Sequence, residues 1–150
     1  MQALEVTGDK ELEKALAGVM ERSEPRSRQL HEELGSMALD AVRTHARTSM
    51  NDSRGTMQSW QEKHIGSRGG YAAVRPSKTP SGRSGPGAIT NYVVSGHAIS
   101  RPRGGTNYRP RIRVGKVGAR PFYLTAEIAV AQRAQEMCEA FAEKLMEELK

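Results

Sequence analysis

Residues 51–74, NDSRGTMQSWQEKHIGSRGGYAAV, decide the fold. Asn51, Asp52, Ser53 and Gly55 form a turn cluster. After it Met57, Ser59 and Gln61 alternate with Gln58, Trp60 and Glu62, the two-residue period of a strand that runs to about Ile65. Gly66, Ser67, Gly69 and Gly70 make the next turn, and Tyr71 to Val74 supplies a partner strand, so the stretch reads as a β-hairpin. Helical patterns lie on both sides of it. The expected fold class is therefore α+β: a small antiparallel β-sheet packed by N-terminal helices and a long C-terminal helix, with extended loops.

Upstream, Asp9 is a good N-cap for a first helix in which Leu12, Leu16, Val19 and Met20 recur at helical spacing, ending near Ser23. Pro25 fits a new helix start better than a helix interior, and Leu30, Leu34, Met37, Ala38, Ala41, Val42 and His45 then make one stripe to about Ser49. Downstream, residues 76–88 (PSKTPSGRSGPGA) have loop composition and no periodicity, a segment that packing against a neighbouring chain would order. Ala88 to Ile99 reads equally as a helical turn or a strand. Residues 100–116 form a basic arm with a Gly-Gly turn, since Pro102 and Pro110 exclude a helix and a central strand. Pro121 opens a helix over 121–149 whose Leu124, Ile128, Ala131, Ala134, Cys138, Phe141, Leu145 and Leu149 keep one face. A single domain over 1–150 follows, with helices over 9–49, sheet and loops over 55–119, and that final helix.

Charge is strongly segregated. From Lys63 to Arg120 there are twelve Lys or Arg and no Asp or Glu, while all seventeen acids lie outside, beside the other eleven bases. The formal net charge of +6 is thus a +12 middle between flanks that sum to −6. Such a middle suits nucleic acid, an acidic protein surface or anionic lipid, or is simply a solvated loop. With 150 residues, 37% hydrophobic content, two Phe and one Trp, the core is expected to be thin, which favours oligomerisation. The lone Cys138 suits a reducing compartment and reads as a small buried apolar residue. No apolar run approaches the ~18 residues of a membrane span and the N-terminus lacks a leader pattern, so a soluble protein made in a cytoplasm, away from membranes, is expected.

Chemistry is sparse. His31, His45, His64 and His97 are far apart and away from Cys138, so no metal spacing exists. His45 continues an apolar stripe, and the acids sit on amphipathic helices whose solvated faces explain them. The Gly-rich stretches at 66–70 and 82–87 lack the setting of a nucleotide loop. No catalytic residue, metal or cofactor is expected. The arm offers Arg101, Arg103, Arg109, Arg111, Arg113 and Lys116 with Tyr108, and its preference for Arg suits defined contacts to carboxylates or phosphates.

Three short signatures, in order, resemble a family. Gly55-Thr56-Met-Gln-Ser59 is similar to the Thr-Gly-x-Leu-x-x-Ser stretch of neck and tail-completion proteins of long-tailed bacteriophages. Asn91-Tyr92-Val-Val-Ser-Gly96-His97 is similar to their Tyr-x-x-x-Val-Glu-x-Gly-His/Thr segment, and Ala119-Arg-Pro121-Phe122-Tyr-Leu-Thr-Ala126 resembles their closing Pro-Phe-Leu-x-x-Ala motif. The resemblance implies a non-catalytic virion protein assembling as a ring, often a hexamer, between the capsid connector or head-closure proteins and the tail terminator or tail tube. Double-stranded DNA would pass through its lumen. It also implies assembly in the host cytoplasm and a place at the neck of the virion. Gly55, Thr56, Tyr92, Gly96, His97, Pro121 and Phe122 would then maintain the fold, and the arm would contact a subunit, a partner ring or DNA. A terminator ring capping the tail tube is a second reading. A sequence-independent nucleic-acid-binding protein using the arm is a third, from another class.

Overall fold

In a computed structural model the chain is described over residues 9–50, 52–98 and 115–147. The fold is α+β. Helix α1 spans Asp9–Met50, a single turn of helix α2 spans Thr56–Ser59, and strands β1 (Gln61–Ile65) and β2 (Ala72–Pro76) flank a 3-10 turn at Ser67–Gly69. Helix α3 (Pro86–Ser95), the two-residue strands β3 (His97–Ala98) and β4 (Lys116–Val117) and helix α4 (Phe122–Glu147) complete it. β1 pairs antiparallel with β2, Gln61 opposite Pro76 and Ile65 opposite Ala72, and β3 pairs antiparallel with β4 as a separate small ladder.

The two expected N-terminal helices are one. Pro25 lies inside α1, which at 42 residues is about 63 Å long. Glu21, whose carbonyl loses its N–H donor to the proline ring four residues on, is exposed, as is Pro25, so water can serve that carbonyl. The strand expected from Met57 also begins later. The Asp52 carboxylate accepts the amide N–H groups of Thr56 (2.9 Å), Met57 (2.8 Å) and Gln58 (3.1 Å), and Gly55 turns the chain at φ 67°, so these residues close a helical turn. Four alternating residues fit one helical turn as well as a strand, because Met57 and Gln61, both buried, are also four apart.

α4 corrects the expected face. Phe122 and Ala126 are buried and Val130, Ala134, Met137, Phe141 and Leu145 half-buried along α1, whereas Leu124 and Ile128 are 54% and 70% exposed and Cys138 is exposed, not buried. Ala134, Phe141 and Leu145 belong to the packed face, as expected. The helix carries two apolar stripes, and the large ring of Phe122 beside small Ala126 selects the one that seats on Val42 and Ala46. Likewise the loop read at 76–88 is shorter, since Pro76 ends β2 and Pro86 starts α3; of the stretch read from Ala88 to Ile99, residues 88–98 are helix followed by β3, and Ile99 lies outside the described residues.

The core is small and sits at one end of α1. Val42, Ala46, Met57, Phe122 and Ala126 form it, with Trp60, Val74, Ile89, Val93 and Tyr123 packed around. Two fully buried polar side chains lie within. Thr90 Oγ1 donates to Met57 Sδ at 3.4 Å. Gln61 donates through Nε2 to the Met57 carbonyl (3.1 Å), accepts the Tyr123 hydroxyl on Oε1, and receives Arg43 on its main-chain oxygen (3.1 Å). At the far end of the hairpin Gly69 (φ 71°) rests on α1, where an added Cβ would lie 2.8 Å from the Arg28 Cα.

Burial pushes the Tyr123 phenol up to about 12 from 10.0, so the fold holds it neutral. Its contribution is complete below pH 10, where the unfolded chain is also protonated, and is lost as pH climbs towards 12. Tyr123→Phe strands the Gln61 acceptor and should cost about 1–3 kcal/mol in urea unfolding at neutral pH. The variant should also lack the part of the alkaline stability loss that tracks tyrosinate absorbance in the parent.

Candidate contact surface

Among the described residues, four of the seven cations of the middle segment, Lys78, Arg83, Lys116 and Arg120, lie on the elements around the end of α1. The open end of the β1–β2 hairpin lies there, since β1 starts at buried Gln61, and Ser77 N–H donates to the Trp60 carbonyl at 2.7 Å as the loop over 77–85 departs. Lys78 and Arg83 are exposed on that loop, which ends at Gly85, the N-cap of α3. β3 leaves the other end of α3 and pairs Ala98 with exposed Lys116 of β4. Four residues later Arg120 closes the arrangement: its amide donates to the Val93 carbonyl (2.9 Å) and its guanidinium donates to the Ser49 carbonyl in the last turn of α1. A cation there also complements the negative end of the helix dipole.

Lys78, Arg83 and Lys116 meet no carboxylate among the described residues. The Asp52 carboxylate, which precedes α2, is taken up by three amides of that turn. Other bases of the segment lie elsewhere. Lys63 is held on the flank of α1, 2.8 Å from Glu32 Oε2, donating also to the Ser36 hydroxyl (2.9 Å) and the Glu32 carbonyl (3.2 Å). Arg75 lies 3.0 Å from His64 Nδ1 across the hairpin, and Arg68 (φ 58°) marks the opposite, closed tip. Arg101, Arg103, Tyr108, Arg109, Arg111 and Arg113 of the expected arm lie outside the described residues. Lys116, at the end of that arm, is a strand residue.

The residues of the three signatures surround this end. Gly55 and Thr56 lead into α2. Tyr92, on the outward side of α3, is 48% exposed and meets His97 in a tilted contact with ring centroids 5.3 Å apart; the His97 Nδ1 is 3.4 Å from the Tyr92 carbonyl. Between α3 and β3, Gly96 has φ 70°, and a Cβ there would lie 2.7 Å from the Val117 carbonyl oxygen. Pro121 is exposed and its carbonyl receives the Thr125 amide at 3.1 Å, while Phe122 is 1% exposed in the core. The main anchors that pattern reading missed are Asp52, Gln61, Arg120 and Tyr123. Asp52, four residues ahead of Thr56, was visible as a cap; the others depend on contacts between residues more than fifty apart or through the main chain.

Among the described residues no group of three or more His, Cys, Asp or Glu could hold a metal ion, and no helix is long and apolar enough to cross a membrane. An open groove of about 650 Å³ lies towards the other end of the α1–α4 pair, lined by Leu30, Phe141 and Leu145 with exposed Arg26, Glu33 and Lys144. It converges no reactive pair. Against known protein families, characterised proteins and solved structures, this chain has no match.

Two measurements probe contacts described above, one at this end and one on the flank of α1. Gly96→Ala should destabilise by more than about 1 kcal/mol in urea unfolding, because the new Cβ meets main chain that cannot rotate away and φ is positive. The hydrogen bond from Lys63 holds the Glu32 carboxyl below its ordinary 4.5, with Arg28 adding to the effect and burial opposing it. Its contribution is present above pH 4.5 and is lost as pH falls through the lowered value. Glu32→Gln should therefore flatten that part of the acid limb of stability against pH.

Proposed function

We propose that this protein is a structural virion component, a ring-forming neck or tail-completion protein of a long-tailed bacteriophage that joins the capsid connector to the tail tube and lets DNA pass. The observation that carries the reading is the cation-rich end of the fold, where Lys78, Arg83 and Lys116 lack carboxylates among the described residues and the three signatures converge. Cations without partners inside the molecule are suited to acids or phosphates outside it.

In this reading the basic end and the arm over 100–116 meet acidic residues of adjacent subunits, the connector side or the tube, and some face the DNA lumen. Contacts to phosphate there are independent of sequence, as DNA that must slide requires. The cap of the tail tube, formed by a terminator ring, would use the same surface.

Light scattering of the purified protein, alone and mixed with tail tubes, with electron microscopy of the mixture, tests the proposal. A closed ring, or added density on one tube end, is the expected result. A monomer that ignores tubes yet binds DNA, with the logarithm of affinity falling by ~0.9 per phosphate contacted for each log unit of salt, would overturn it in favour of a free nucleic-acid-binding protein.

A further inference from the structure

α4 carries a second apolar seam that nothing in the described chain covers. Leu124, Ile128, Ala131, Cys138, Ala142 and Met146, with Gln135 among them, recur at steps of three or four residues, and every one is exposed. This is the spacing of a helix that packs along another surface, with one polar position of the kind that sets register. It lies beside the face that α4 buries on α1 and on the other side borders the charged face, so the helix is apolar over more of its circumference than its own fold uses.

The flanks of the seam are acidic. Glu127 borders it on one side and Glu139 on the other, with Glu143 beyond, and the only carboxylate of α4 in an ion pair among the described residues is Glu136, with Arg133 at 3.0 Å. Two copies of this seam facing each other would oppose like charges. The complementary surface exists elsewhere on the same molecule. α3 is bracketed by Arg83 before its N-cap and by Lys116 beside its C-terminal end, presents exposed Tyr92 between them, and carries no acid.

From this complementarity we infer that the outward seam of α4 docks on the α3 end of a second copy of this chain, with Glu127 and Glu139 meeting Arg83 and Lys116 and with Tyr92 against the apolar seam. The two surfaces differ, so the contact is head-to-tail, and repetition closes a ring if its rotation permits. The inference rests on the ring reading above and names the faces by which subunits meet.

The test is the mass of the full chain by light scattering, with circular dichroism confirming that each variant is folded. Ile128 is exposed, so Ile128→Asp should leave helicity intact and reduce the multimer to monomer. The charge-reversed pair Glu127→Arg with Glu139→Arg, and the pair Arg83→Glu with Lys116→Glu, should each abolish association alone. An equimolar mixture of the two should restore it, because each reversed face then finds its complement and the unaltered faces still match. If the parent assembles and these variants assemble equally well, the inference fails while the ring reading stands. If the parent assembles only on tail tubes, the same variants are scored by their capping of tubes, with the same expectation. A parent that is monomeric in solution and on tubes overturns both.

Discussion

A single buried amide ties the layers of this fold together. Gln61 is fully enclosed, and its side chain and main chain hold Met57 of α2, Arg43 of α1 and Tyr123 of α4 while it begins β1. Polar groups in such a place are worth little net when satisfied and costly when orphaned, so they select one arrangement more than they add stability. Each partner comes from a different element, and a shift of any of the three elements would strand a donor or acceptor in the core. The small cluster of Val42, Ala46, Met57, Phe122 and Ala126 supplies burial, but those side chains would tolerate sliding that the amide does not.

Local chemistry was the legible part of the fold. Gly-rich turns announced the hairpin, Pro121 announced the last helix, and the α+β class followed from their order. Pattern failed where one signal has two solutions. Pro25 reads as a boundary, yet an exposed proline costs a long helix only one hydrogen bond and some crowding, and α1 continues. The alternation through Met57 reads as strand because it cannot register that Asp52 gathers three amides and forces a helical turn. On α4 two apolar stripes run side by side, and the one that holds Phe122, Val130, Phe141 and Leu145 is the one that packs on α1, whereas the other is interrupted by Gln135. For the site, the carboxylate-free run from Lys63 to Arg120 was plain, but its division was not: Lys63 is spent on Glu32 within the fold, whereas Lys78, Arg83 and Lys116 are left for something else.

That division gives the molecule unlike charged faces. The C-terminal end of α1 collects cations around α3 and the β3–β4 ladder, while the outward side of α4 is lined by Glu127, Glu136, Glu139, Glu143 and Glu147 against Arg133 and Lys144. The formal charge of +6 conceals this arrangement. Long-range attraction between such unlike faces would align a partner of opposite charge before contact.

The placement of the core at one end of α1 also grades the molecule's resistance to opening. Near Val42 and Ala46, helix, hairpin and α4 all meet, so exposing an amide there requires losing everything at once. Towards Leu30 and Phe141 the two helices touch along one line over an open groove, and before Arg22 α1 runs on past the described end of α4 with Met20 73% exposed. Amide protons should then exchange with solvent in a ramp along α1, fastest at Asp9 and slowest beyond Ala41, each step a partial fraying that leaves the far end intact. A body so graded can adapt one extremity to a neighbour's shape while the other keeps its geometry.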